Sequence, residues 1–232
     1  MNFLFDIDGT LTPARKPMDS KFKRFFADWI NVQRSRGNRV ILVTGSEREK
    51  TLEQIGTPLW RFVDGSYQNC GNQLYVRGKL IWQSSWRMSP SLHLDIIDLI
   101  QRSSWYGTAK NNIEERVGMV NISTVGRDCT DKQRSDYYQW DMINLERTSI
   151  ADTLRRNHKG VELAIGGEIS IDIYEKGKDK SQIIDRIIGK NIFFGNRCEE
   201  GGNDHAISMR SEVSHCVENW IETKDILEST YS

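Results

Sequence analysis

The stretch Phe3-Leu4-Phe5-Asp6-Ile7-Asp8-Gly9-Thr10 decides the fold. Three apolar residues bounded by a turn signal read as a buried strand. In open α/β sheets ligands bind beyond the carboxyl ends of the strands, so Asp6 and Asp8 stand where chemistry is expected. Gly9 lets the backbone come close to a ligand, and Thr10 offers a hydroxyl and an N–H to an anion. Two like charges ~4 Å apart repel by ~4 kcal/mol at an effective dielectric of ~20. Such a pair persists if a cation lies between the groups or if one keeps its proton. Both solutions suit phosphoryl transfer, in which Asp6 attacks phosphorus while Asp8 gives a proton to the leaving oxygen and later takes one back. A calcium loop is excluded: it wants Gly at its sixth position and Glu at its twelfth, where a count from Asp6 meets Leu11 and Pro17.

Working outward, Met18 to Arg36 carries apolar residues mostly at helical spacing, with Gly37 as the stop. Arg39 to Val43 reads as a buried strand that ends at Thr44-Gly45-Ser46, where a hydroxyl beside Asp6 would hold a phosphate oxygen. Thr44 is the candidate; Ser46 serves equally well as a helix cap. Arg61 to Val63 reads as a third strand, and Gln73 to Trp82 as a hairpin turned at Arg77-Gly78. This alternation predicts a doubly wound parallel sheet, a Rossmann-like α/β core.

From about Ser84 the pattern changes to an amphipathic helix around Leu92 to Ile100, a strand over 117–125, a helical stretch over 131–156 and two strands around Gly166-Gly167. The expected organisation is a core over 1–83 and 177–232 with an α+β cap inserted over 84–176. The core resumes with a helix opening at Lys180, the strand Ile192 to Phe194 and a Gly-rich loop.

With 32 basic and 32 acidic residues, no bulk charge argues for nucleic acid or a membrane. No apolar run approaches the ~18 residues of a membrane span. The four cysteines show no CxxC spacing, which disfavours zinc, and a reduced, cytoplasmic chain is expected. Arg116, Arg127 and Arg134 fall on a strand, at the turn after it and at the start of a helix. Guanidinium groups bind phosphate through paired hydrogen bonds, and several together make a phosphate clamp.

The Asp6-Ile7-Asp8-Gly9-Thr10 motif resembles the first motif of the haloacid dehalogenase superfamily of phosphotransferases. The longer stretch FDIDGTLTPAR, together with RVGMVNISTVGRDCTDKQR in the cap and the Gly166 to Asp172 segment, resembles the eukaryotic-type phosphomannomutases. The resemblance implies that Lys180, at the place of the third motif, damps the repulsion of the carboxylates and grips the transferring phosphoryl group. It implies Mg²⁺ with Asp6, Asp8, Asn196 and Asp204 as its ligands. Here the chain departs from the family, because the resemblance puts Asp where Asn196 stands; an amide oxygen still coordinates Mg²⁺ but brings no charge, and Asp204 would compensate directly or through water. The sugar phosphate would be bound by Arg15, Arg116, Arg127, Arg134, Ser170 and Asp172.

The activity implied is the interconversion of mannose 6-phosphate and mannose 1-phosphate, feeding GDP-mannose synthesis, with a hexose 1,6-bisphosphate activator and a homodimer formed through the cap. The arginine trio with Ser170 and Asp172 favours a mutase, which must hold a bisphosphorylated sugar by its second phosphate. A sugar phosphatase of the same superfamily is the alternative, and Asn196 motivates a third reading, a phosphosugar-binding protein with impaired catalysis.

Overall fold

The computed structural model describes residues 1–107 and 110–232. The chain opens with β1 (Asn2–Phe5), α1 (Ser20–Ser35), β2 (Arg39–Val43), α2 (Arg48–Ile55), α3 (Thr57–Phe62), β3 (Gly65–Gln68), β4 (Gln73–Val76) and β5 (Lys79–Gln83). It continues with α4 (Pro90–Gln101), β6 (Ile113–Arg116), β7 (Met119–Ile122), α5 (Asp131–Asn144), α6 (Glu146–Asn157), β8 (Val161–Gly166) and β9 (Ser170–Glu175). It closes with β10 (Asn191–Gly195), α7 (His205–Arg210), β11 (Val213–Cys216) and α8 (Trp220–Thr230). Two compact units result: Met1–Ser84 with Asp179–Glu200 and Asp204–Ser232, and Ser85–Lys178 with Gly201–Asn203.

The first unit is built on a seven-stranded sheet in the order β11-β10-β1-β2-β3-β4-β5. Its strands from β11 to β3 run parallel, and β4 and β5 complete it antiparallel. The order reverses at β1, which has β2 on one side and β10 on the other, and that switch point is where an open sheet leaves a crevice beyond its strand ends. Asp6 follows β1 and Asn196 follows β10, so both border the crevice, and the Asp6 N–H donates to the Phe194 carbonyl at 2.9 Å.

Helix α1 forms because Asp19 caps it, accepting from the N–H groups of Lys21 and Phe22, both at 2.9 Å. Its Phe22, Phe26, Trp29 and Ile30 recur at helical spacing and bury one face against Phe3 and Phe5 of β1. Phe26 meets Phe5 edge to face with centroids 5.2 Å apart.

Two expectations are corrected here. Arg61 to Val63 is not the third strand: Pro58 sits in the first turn of α3, which runs to Phe62, and the strand follows at Gly65–Gln68. That strand is missed because it is polar yet fully buried, its Gln68 accepting from the Thr51 hydroxyl at 2.9 Å and donating to Ser66 Oγ at 2.7 Å. The helix expected at Lys180 is a 3₁₀ segment over Lys180–Arg186, opened by Asp179, which accepts from the Ser181 N–H.

The second unit pairs its four strands antiparallel in the order β6-β7-β9-β8. One face of the sheet carries Val120, Ile122, Ile171 and Ile173 into a cluster with Leu92 and Ile96 of α4 and Ile150 and Leu154 of α6. The stretch read as a single strand over 117–125 is half of a hairpin, since Gly118 turns the chain at φ +72 between β6 and β7. The helical stretch 131–156 is two helices, parted by Leu145 in the left-handed conformation. Trp105 lies in a second small core with Val125, Tyr137 and Ile169, whereas Trp82 belongs to the first unit, where Arg186 stacks over its ring at 3.8 Å.

Candidate active site

In the first unit the side chains beyond β1 and β10 converge on Lys180. Its ammonium, 1% exposed, lies 2.6 Å from Asp6 Oδ1 and 2.7 Å from Asp204 Oδ1. Burial opposes that charge, but the two carboxylates outweigh it and hold Lys180 protonated well above the ordinary lysine range. One ammonium shared by two buried carboxylates leaves an excess negative charge. Burial therefore pushes Asp6 up to about 7, with Lys180 offsetting part of the rise and the charge of Asp204 adding to it. Among the described residues, Asp6 Oδ2 has only a long bond from the Thr10 hydroxyl, at 3.4 Å.

Asp8 turns its carboxylate elsewhere. Oδ2 takes the Lys50 ammonium at 2.6 Å, while Oδ1 accepts from Gln54 Nε2 at 2.9 Å and from the Arg15 N–H. Burial works to raise its pKa, but Lys50 above all, with those hydrogen bonds, holds it below the usual carboxylate value. Arg15 adopts φ +59 to make this contact, and with Lys16, Pro17, Lys50, Glu53 and Gln54 it lines a cleft of about 270 Å³. Thr44 is buried, and its hydroxyl accepts from the Ser46 N–H at 3.0 Å, stiffening the turn after β2. The helix-capping role open to Ser46 is not used, because α2 starts at Arg48 with no side-chain cap.

The expected metal donors divide. Asp204 spends Oδ1 on Lys180 and Oδ2 on the N–H groups of Asn196 and Arg197, at 3.2 and 3.1 Å, so its carboxylate builds the loop and positions Lys180 rather than facing a cation. The Asp8 carboxylate is committed to Lys50 and Gln54, as described. Asp6 Oδ2 and the Asn196 amide remain, the latter against Gly9, where a side chain would come within 2.4 Å of Asn196 Nδ2. Among the described residues no group of three or more His, Cys, Asp or Glu is arranged to hold a metal ion. A dication that keeps several waters needs only one or two protein oxygens, and the uncompensated charge at Asp6 suits it.

The second unit gathers a separate cluster on the polar face of its sheet. Glu114, Asn121 and Asp172 lie in register across β6, β7 and β9. Arg127 donates from Nη1 to Asn121 Oδ1 and to Ser170 Oγ, both at 2.9 Å, and its Nε lies 3.0 Å from Glu114 Oε2. Arg116 pairs with both oxygens of Glu114, and Asn121 Nδ2 donates to Asp172 Oδ1 at 2.6 Å. Burial lowers the pKa of Arg127, Glu114 and Asp172 oppose that, and the nearby charges of Arg116 and Arg134 add to it. Arg134 enters from the first turn of α5, which Thr130 and Gln133 close with a capping box, and reaches Glu168 at 3.9 Å. Arg116 and Arg127 lie in one network with Ser170, Asn121 and Asp172, and Arg134 stands within electrostatic reach of Arg127.

The model of the eukaryotic phosphomannomutase family matches residues 26–232. The chain belongs to that family. Phosphomannomutases of Glycine max and Saccharomyces cerevisiae are 32% and 29% identical to this family member, over 92% and 99% of the chain and 89% and 93% of their own lengths. Among solved structures, an IMP-nucleotidase of Plasmodium falciparum superposes with a TM-score of 0.68 at 12% identity, covering 98% of this chain and 67% of that one. A trehalose-6-phosphate phosphatase related protein superposes with 0.52 at 17% identity, covering 98% and 96%. At such identities the likeness shows the fold alone. The family match starts after Asp6 and Asp8.

Four residues of the two clusters escaped the sequence reading. Lys50 and Gln54 sit one helical turn apart on α2, where a polar face carries no motif. Asn121 is a polar residue inside a buried alternating strand, which is a signal, and Glu114 lies on the strand that was not foreseen.

Proposed function

We infer that the chain is a phosphomannomutase that interconverts mannose 6-phosphate and mannose 1-phosphate through an aspartyl-phosphate on Asp6. The observation that carries this reading is the cluster of Arg116, Arg127, Ser170, Asn121 and Asp172 in a chain whose first unit offers Asp6 beside Lys180. A phosphatase needs chemistry at one phosphate; a mutase must also hold the phosphate at the other end of the sugar, and paired guanidinium groups do that.

In the first step the sugar hydroxyl attacks the phosphoryl group carried on Asp6, the bond from phosphorus to the Asp6 oxygen breaks, and Asp8 removes the proton of the attacking hydroxyl. In the return step a carboxylate oxygen of Asp6 forms the bond to the other phosphorus as its bond to the sugar oxygen breaks, and Asp8 gives that proton to the departing oxygen. Held below its usual pKa by Lys50 and Gln54, Asp8 rests in the form that accepts a proton. Lys180 steadies charge on the transferring oxygens, with Thr44 as a further donor, and Arg15, Arg116, Arg127, Arg134, Ser170 and Asp172 bind the sugar phosphate. Mg²⁺, when bound by Asp6 and Asn196, supplies charge neutralisation of the phosphoryl group.

The hexose 1,6-bisphosphate activator, the supply of GDP-mannose synthesis and a homodimer through the cap belong to the same reading. Leu94, Met142, Ile143 and Leu145, exposed on the second unit, support the dimer. A cytoplasmic site accords with four free cysteines; among the described residues no helix is long and apolar enough to cross a membrane.

The test is to incubate the purified protein with mannose 1-phosphate, Mg²⁺ and glucose 1,6-bisphosphate, with Asp6→Asn as control. Mannose 6-phosphate is expected from the native chain alone. Free phosphate without the isomer would replace the mutase by a phosphatase. Sugar phosphate binding with no turnover over a wide Mg²⁺ range would establish the binding protein that Asn196 motivates.

A further inference from the structure

The three arginines of the second unit carry like charges, and Arg127 stands within electrostatic reach of both Arg116 and Arg134. An anion-binding site made this way must hold its guanidinium groups together before the anion arrives. Glu114 is the group placed to do so. It shares a face of β6 with Arg116, two residues on, and that face is opposite to the one bearing the apolar cluster of Val120 and Ile122. Its Oε1 accepts from Arg116 Nε at 3.0 Å and its Oε2 from Arg116 Nη2 at 2.8 Å, a bidentate pair. The same Oε2 lies 3.0 Å from Arg127 Nε. One oxygen therefore bridges two guanidinium groups.

We propose that Glu114 is a positioning residue that assembles Arg116 and Arg127 into a fork shaped for a phosphate dianion. The proposal rests on the reading of these arginines as ligands of the hexose phosphate. Arg127 is fixed on two edges, by Glu114 at Nε and by Asn121 and Ser170 at Nη1, so its plane is set before ligand binds. Arg116 is sunk to 7% side-chain exposure, where its charge demands a counter-ion. Ordering two long side chains in advance spares that entropy at the moment of binding. Arg134 has its own carboxylate, Glu168 at 3.9 Å, so the shared oxygen of Glu114 is what holds the Arg116–Arg127 pair together.

The test is steady-state kinetics with mannose 1-phosphate on Glu114→Gln, Arg127→Met, Arg116→Met and the double variant Glu114→Gln/Arg116→Met. The carboxamide keeps the shape of Glu114 but aims a donor at groups that are themselves donors. The KM of Glu114→Gln is expected to rise at least about tenfold with kcat falling less, the scale of one lost charge-assisted hydrogen bond. In the Arg116→Met background the same substitution acts only through Arg127 and is expected to raise KM by a smaller factor. If Arg127→Met leaves KM unchanged, the reading of the arginines fails and the proposal with it. If Arg127→Met raises KM but Glu114→Gln leaves it unchanged or lowers it, the proposal alone is overturned. An undiminished effect of Glu114→Gln without Arg116 overturns it too. Should Glu114→Gln not fold, Glu114→Asp carries the test, because one methylene shorter it reaches a single guanidinium; a raised KM is expected, and an unchanged one is fatal to the proposal.

Discussion

Replacing Lys180 by Met removes an ammonium and keeps the length of the side chain, so its effect is nearly all electrostatic. The two oxygens that share the ammonium, at 2.6 and 2.7 Å, can be no more than about 5 Å from each other. At an effective dielectric of ~20 two unit charges at that separation repel by about 3 kcal/mol. Breaking a buried pair by removing one partner costs about 3–5 kcal/mol, an overlapping measure of the same loss. We expect Lys180→Met to lose about 3–5 kcal/mol of stability, or roughly 6–20 °C in Tm for a chain of this size. Urea unfolding followed by tryptophan fluorescence, with EDTA present, measures it. The second variant decides the cause: Lys180→Met/Asp204→Asn removes one stranded charge and should regain more than half of the loss, while mutase activity stays abolished. A Lys180→Met protein within about 1 kcal/mol of the native one, or a double variant no more stable than the single, would refute the electrostatic account.

Asn196→Asp should lower the Mg²⁺ concentration for half-maximal activity by about tenfold, since one more charge faces the cation; an unchanged metal titration removes position 196 from the site. Arg147→Met strands Asp141, which takes the arginine Nε at 2.6 Å in a buried pair, and should cost about 3–5 kcal/mol, with Arg147→Met/Asp141→Leu recovering most of it in thermal melts. His215, stacked on Phe194 and bonded to the Tyr231 hydroxyl, has its pKa lowered by burial. The unfolded chain therefore takes up this proton first, so stability is lost as pH falls below the ordinary histidine value of 6.5 toward the lowered one; His215→Phe should flatten that part of the pH dependence of the urea midpoint.

How much of this was legible in the sequence depends on whether one residue's surroundings sufficed to read it. Phe3 to Phe5 and Val40 to Val43 are buried on both faces, and their apolar runs announce it; Asp6, at the end of the first, follows directly. The arginine cluster was legible through its resemblance, because three arginines at that spacing carry no signal of convergence by themselves. Gly65 to Gln68 was not legible: a strand of Gly, Ser, Tyr and Gln carries no apolar run, and it lies buried between β2 and β4 with Gln68 bonded to Thr51 of α2, a contact between distant residues. The use of Asp204 was hidden for a related reason. A carboxylate near a proposed metal reads as a ligand until its two oxygens are seen to be taken by Lys180 and by backbone N–H groups. The partners of Asp8 were missed because Lys50 and Gln54 lie on a helix whose polar face looks like any solvated one.

The departure at position 196 acquires a physical sense from the charges around it. Asp6, Asp8 and Asp204 bring three negative charges, and Lys180 and Lys50 bring two positive ones, so the first unit carries one unmatched negative charge beside the crevice. Burial pushes Asp6 up to about 7, and the charges of Asp204 and Asp8 add to the rise. An aspartate at 196 would double the unmatched charge, and the protein would then depend more on a bound dication to keep its fold. With asparagine an amide stands against Gly9 without adding charge, the excess remains one, and the Lys180 pair alone comes closer to neutralising the site. Weaker hold on the metal and a lesser need for it have the same origin, so a folded, metal-poor form of this protein should be more robust than that of its Asn196→Asp variant, which carries a fourth acid at the crevice.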